Sequence, residues 1–400
     1  MENNLSGQLR LRSAIEDPYY FFGRADFLED IQQKPLDVWI LLGGRRIGKT
    51  SLLNAVEWSF LDPQPRDLNR VFPVLIDLNL VQPNNLDNLR YLLVAQLREA
   101  VERWRQISLA HLRAMYRAYI RQVVSGEVTI SFLQQLNVKF KVSNPAYSRQ
   151  LNDEDFRQAL WKTIEELRKK DFHGICLILD GAEFIARQEW ATDAWNYFRS
   201  LKDTKNILKP YLGLVLSGYR ELKDYQQKVG SPLLGIAAGI KWLSPLTESE
   251  SFQLIERWKD SEKIPLNDQW ISSLIEWTGC HPYLIHLALE IVRDELFDGN
   301  PPSFKEVIIN LMHHHTDVFA AWWNEDQEVG RLGEEERTIY HALVECRQGS
   351  PSSLARRTQL GSGKVKNMLD ILSATGIVRK LSEQQYVIGT RLFEEWVKRL

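Results

Sequence analysis

The segment Gly43-Gly44-Arg45-Arg46-Ile47-Gly48-Lys49-Thr50 constrains this chain more than any other. It satisfies GxxxxGK[ST]. An unbroken apolar run, Val38–Leu42, precedes it, and Leu52, Leu53, Val56 and Phe60 follow at helical spacing. A strand buried on both faces, a glycine-rich turn and a helix start form the context in which this motif cradles phosphate. Glycines let backbone N–H groups close around the anion, and the helix N-terminus adds positive potential. Lys49 is expected to bridge β- and γ-oxygens and Thr50 to ligate Mg²⁺. Gly43, Gly44, Arg45, Arg46, Ile47, Gly48 and Ser51 complete the expected contact with the nucleotide, for which ATP is the reading.

Such a site needs an acid at the end of a second central strand. Ile175-Cys176-Leu177-Ile178-Leu179-Asp180 supplies five apolar residues and then a carboxylate, so Asp180 is the expected partner of Mg²⁺. Hydrolysis also calls for a carboxylate that polarises the attacking water. The residue after Asp180 is Gly181, and the nearest acid is Glu183, three positions on and expected to point elsewhere unless the loop is unusual. Lys49, Asp180 and Glu183 are therefore the catalytic candidates, and slow turnover is expected.

Further strands read at Val71–Leu80, Leu212–Ser217 and Ile240–Leu243. Helices read at Ala25–Gln33, from Asn88 to about Ala118, at Asp153–Lys170 and at about Gln188–Lys202. Strands alternating with helices predict an α/β fold with a parallel, doubly wound sheet. The alternation at Glu127–Val142 suggests a hairpin within an insertion at about 105–150. After Thr247 the strand signal stops. Residues 248–320 read as helical, with capping starts at Thr247/Glu250 and Asn267. From about 333, three helices, Gly376 and two short strands follow the order of a winged helix-turn-helix.

Net charge is −2, so the whole chain has no electrostatic reason to seek nucleic acid or an anionic membrane. Three scattered cysteines without a CxxC pair argue against a disulfide framework or a zinc site and predict a reducing compartment. With a polar N-terminus and no apolar run of membrane-spanning length, a cytoplasmic location is the expectation. Thirteen tryptophans are many for 400 residues, and their helical spacing points to packing.

Three segments together carry a family resemblance: Phe21-Phe22-Gly23-Arg24, GGRRIGKTSLL from Gly43, and Thr278-Gly279-Cys280-His281-Pro282-Tyr283-Leu284. In that order they resemble the archaeal-type ATPases of the STAND class, signal-transduction ATPases related to AAA+ proteins. IKWLSPLTESESFQL at Ile240–Leu254 is similar to that family's junction between core and lid. The resemblance spans roughly 15–110 and 150–400. It implies a P-loop NTPase core (1–246), a helical lid (247–325) and a winged-helix domain (326–400). It also implies that Tyr20–Arg24, with Phe22 and Arg24, lines the adenine side, and that Ser217 or Arg220 senses the γ-phosphate. His281 and Pro282 would report nucleotide state from the lid. Gly181 departs from the family's usual acid, and Ala25 stands where Glu often follows the aromatic-Gly-Arg turn.

The expected function is an ATP-binding switch coupling nucleotide state to a protein partner or to self-assembly. The alternative is ATP-dependent DNA binding through the winged helix, where Arg356, Arg357, Lys364, Lys366, Arg379 and Lys380 are clustered. His313-His314-His315 reads as a surface helix end, because consecutive helical residues point in different directions.

Overall fold

The computed structural model describes residues 14–15, 21–61, 70–106, 149–220, 222–224, 233–297, 303–314, 316–323 and 332–400. The hairpin at Glu127–Val142, and all but the edges of the insertion expected at about 105–150, lie outside the described residues, as does Tyr20. The chain divides into two compact units. The first contains Ile15–Leu42 and Lys49–Lys241, the second Gly43–Gly48 and Trp242–Leu400.

In the first unit the strands are β1 (Val38–Gly43), β2 (Val71–Asp77), β3 (Gly174–Asp180), β4 (Leu212–Gly218) and β5 (Ala237–Leu243), the last running to its edge. They form a five-stranded sheet in the order β2-β3-β4-β1-β5. The β1–β4, β3–β4 and β2–β3 pairs are all parallel. Every residue of β1, β3 and β4 is buried, as continuous apolar runs require when helices cover both faces. Pro73 is tolerated because β2 is an edge strand. The helices are α1 (Ala25–Gln33), α2 (Lys49–Leu61), α3 (Leu78–Val81), α4 (Leu86–Gln106), α5 (Asp153–Arg168), α6 (Glu183–Ala186) and α7 (Ala191–Leu201).

Two expectations about element bounds are corrected. The strand expected to reach Leu80 stops at Asp77, whose side chain accepts the Asn79 N–H and starts α3. The helix expected from Gln188 begins at Ala191, because Arg187 and Gln188 close turns onto Phe184 and Ile185.

The second unit opens with α8 (Glu248–Glu262), whose Thr247/Glu250 capping box forms as anticipated. It is followed by α9 (Asp268–Thr278), capped by Asn267. Next come α10 (Pro282–Phe297), α11 (Phe304–His314) and α12 (Thr316–Trp323). The C-terminal elements are α13 (Glu334–Cys346), β6 (Gln348–Gly349), α14 (Pro351–Thr358), α15 (Ser362–Thr375), β7 (Val378–Ser382), β8 (Gln385–Ile388) and α16 (Arg391–Val397). The three short strands pair in the order β6-β8-β7, antiparallel throughout.

An aromatic cluster knits this unit. Phe319 and Trp322 of α12 meet Phe393 of α16 at 5.8 and 5.5 Å, and Tyr340 of α13 meets it at 5.3 Å. Arg379 of β7 pairs with Glu248 at 3.0 Å, and Arg391 with Glu276 at 2.9 Å. Much of the tryptophan surplus is thus packing. Among the described residues no helix is long and apolar enough to cross a membrane.

Candidate nucleotide site

Parallel order brings the C-terminal ends of β1, β4 and β3 side by side, and a doubly wound sheet binds ligands at such an edge. β1 runs into the glycine loop and then into α2. Ile47 is buried and folds back on the loop, so a Cβ on Gly43 would come within 2.8 Å of its side chain. Gly48 has φ +97°, a conformation that favours glycine, and its missing Cβ would face open space. Arg46 is in the left-handed region, with its guanidinium 4.3 Å from the centre of the Tyr283 ring. Gly44 lies close to Thr375, where a Cβ would come within 3.2 Å of the Thr375 Cα.

At the start of α2 the Thr50 hydroxyl donates to Asp180 Oδ2 at 2.6 Å. The other Asp180 oxygen accepts the Gly181 N–H at 3.0 Å, and the residue is buried. The geometry therefore joins the two expected Mg²⁺ ligands. Their donors are all oxygen, the set a hard dication prefers. Ser51 is turned away from this pair. Its buried Oγ accepts the Ile15 N–H at 3.0 Å, and Asn54 donates to the Ile15 carbonyl at 2.8 Å, so both pin the N-terminal segment to α2.

For Glu183 the loop is the unusual one on which its direction depends. Gly181 takes φ +69°, and a Cβ there would overlap the Asn79 side-chain amide. The chain turns sharply, the Ala182 N–H is bound by the Ser217 carbonyl at 2.8 Å, and Glu183 folds inward. Its carboxylate faces the end of β4, where a Cβ on Gly218 would stand 2.7 Å from Oε2. Glu183 is 5% exposed, and Oε2 has no hydrogen-bond partner among the described residues. Burial pushes its carboxyl above the usual range, opposed in part by the charge of Lys49. Asp77 aligns with Asp180 across β2 and β3. Burial raises its pKa as well, and the Asp180 charge adds to the effect.

Ser217 is wholly buried, and its Oγ has no hydrogen-bond partner among the described residues. Arg220 is half-buried just beyond it. Arg24 has a buried side chain and a left-handed backbone, and its carbonyl accepts the Phe27 and Leu28 N–H groups at 3.1 Å to start α1. Phe22 is half-buried beside it, and Phe21 meets Trp58 of α2 edge-on at 6.5 Å. His281 is fully buried, its ring 5.2 Å from Trp322, and Pro282 opens α10. Burial therefore holds the His281 imidazole inside the second unit, while Tyr283, two residues on, is what meets the loop at Arg46.

Sequence reading missed three participants: Asn79, Tyr283 and Tyr219. The Tyr219 ring lies 3.7 Å from the Lys49 ammonium. All three carry ordinary residue types at element ends, and only the fold brings Asn79 to Gly181, Tyr219 to Lys49 and Tyr283 to Arg46. Of the six clustered basic residues, five lie within 4 Å of a carboxylate. Arg357 pairs with Glu345, Lys364 with Glu335, Lys366 with Asp370, Arg379 with Glu248 and Lys380 with Glu383. Among the described residues only Arg356 of the six makes no such pair. No group of three His, Cys, Asp or Glu that could hold a metal ion occurs among the described residues.

The β2-β3-β4-β1-β5 parallel sheet, with its glycine loop after β1 and its acid after β3, has a P-loop fold and is similar in fold to solved Walker-type and ORC structures. A Walker-type ATPase of Pyrococcus abyssi superposes with a TM-score of 0.62 at 16% identity, covering 96% of this chain and 98% of that one. The ORC2 protein of Aeropyrum pernix, in its ADPNP–ADP complexes, superposes with a TM-score of 0.53 at 15% identity, covering 96% of each chain. No protein-family model and no curated protein matches the sequence.

Proposed function

We propose that this chain is a nucleotide-dependent switch that binds ATP with Mg²⁺ at Gly43–Thr50 and Asp180 and hydrolyses it slowly. The observation that carries this reading is the 2.6 Å bond from Thr50 Oγ1 to Asp180 Oδ2, with two buried oxygens, Glu183 Oε2 and Ser217 Oγ, that lack partners among the described residues. Buried polar atoms are normally bonded, so such atoms at the strand ends that carry Asp180 and Ser217 point to a polar ligand. The likeness in fold to a protein studied with ADPNP and ADP supports the same reading.

Mg²⁺, when bound, neutralises charge on the phosphate oxygens. Thr50 and Asp180 would hold it, and Lys49 would draw the β- and γ-oxygens. Glu183, with its pKa raised by burial, is suited to accept the proton of the attacking water. Ser217 Oγ is suited to donate to the terminal phosphate. Phe22 and Arg24 would line the adenine side, and the elements at 332–400, read as a winged helix, would carry the response to a partner protein or to self-assembly. DNA is the less favoured partner, because most of the basic side chains that would meet phosphates already face carboxylates.

Steady-state ATP turnover, measured with and without duplex DNA, tests this reading. Lys49→Ala should abolish nucleotide binding. Glu183→Gln should keep binding and lose roughly 100-fold or more of turnover. Parent-like hydrolysis by E183Q would remove Glu183 from the mechanism. Strong stimulation by DNA would favour the DNA-binding reading instead.

A further inference from the structure

We infer that Tyr219 is the positioning residue of the Lys49 ammonium, an assignment that rests on the reading of Lys49 as the phosphate-binding cation. Lys49 Nζ stands 3.7 Å from the centre of the Tyr219 ring, well inside the range of a cation–π contact. Both residues are half-buried, so the contact is partly shielded from water. Tyr219 is the first residue beyond β4 and follows Gly218, which is packed against Glu183. Its backbone is thus fixed by the strand end that binds the Ala182 N–H through Ser217.

A ring face differs from a carboxylate as a partner for this lysine. It attracts the ammonium from one side without neutralising it, and it accepts no conventional hydrogen bond. Such a contact uses up no N–H donor and leaves the positive charge in place for phosphate oxygens. A long, flexible lysine side chain that is already placed also loses less freedom when a ligand arrives. Tyr219 therefore sets where the charge of Lys49 is presented. Because Lys49 is read as bridging β- and γ-oxygens, the effect falls more heavily on the triphosphate than on the diphosphate.

Titration of the full chain with fluorescent ATP and ADP analogues tests the assignment in Tyr219→Phe, Tyr219→Leu and Lys49→Ala. Tyr219→Phe keeps the ring face and should match the parent. Tyr219→Leu should bind the ATP analogue roughly three- to tenfold more weakly, the range of a partly buried cation–π contact, with a smaller change for ADP. A merely structural role would not yield rescue by Phe together with a triphosphate-selective loss. Should Y219L fail to fold, Y219Q serves the same comparison. Parent-like affinities in the Leu or Gln variant, alongside loss of binding in K49A, would overturn the Tyr219 assignment and leave the nucleotide reading standing. Equal losses in the Phe and Leu variants would also overturn it, since the hydroxyl would then be the active group. Parent-like binding by K49A would overturn both.

Discussion

At residue scale, the turn after Asp180 decides which way the next carboxylate faces. Gly181 is in the left-handed region, and the Asn79 amide fills the space a side chain would need. An acid at 181 would therefore not restore a fast ATPase. Gly181→Glu should lower Tm and cut turnover, with about 1–2 kcal/mol lost to the backbone conformation alone and more to the overlap with Asn79. A G181E variant with unchanged Tm and raised turnover would contradict this account. The phosphate loop itself was legible in the sequence because its chemistry is local: glycines, Lys49 and Thr50 are consecutive. The direction of Glu183 was conditional on the loop, because it depends on Asn79 in α3 and on Ser217 of β4. Tyr219 carried no signal at all, since a tyrosine after a strand is ordinary until the sheet sets it beside α2.

Among the elements, α10 holds the least expected group. His286 lies among Ile285, Leu287, Ala288 and Leu289, is 5% exposed, and neither ring nitrogen has a hydrogen-bond partner among the described residues. Burial pushes its pKa down to about 4, so the folded chain holds it neutral where the unfolded chain would protonate it near 6.5. Between those values the unfolded state binds more protons. Stability is therefore undiminished above pH 6.5 and declines as pH falls toward 4, by on the order of 3 kcal/mol in all. Denaturant titrations at pH 7 and pH 5 should show about 2 kcal/mol of this loss in the parent and a smaller one in His286→Leu. Equal pH dependence in both would assign the loss to other groups. Periodicity found most elements because strands buried on both faces read as unbroken apolar runs. It overran at Leu78–Leu80, where the Asp77 cap outweighs an apolar sequence that would serve a strand equally well.

Across the whole chain, composition revealed a tryptophan excess but not its arrangement. The boundary expected between 325 and 326 is spanned by the cluster of Phe319, Trp322, Tyr340 and Phe393, so the helices on either side share one packed interior. Phe393→Ala should destabilise this unit by roughly 3–5 kcal/mol and lower both sets of helices in a single calorimetric transition. Separate transitions for the two sets would argue for independent domains. The ion pairs on α14, α15 and β7 have a further consequence. A protein that binds a duplex gains free energy largely from small ions set loose from the polyanion. Here the basic side chains face carboxylates of the same chain, so an approaching phosphate must displace an anion that cannot diffuse away. Each exchange then costs a broken contact within the fold, and added salt would loosen these elements as well as screen any partner.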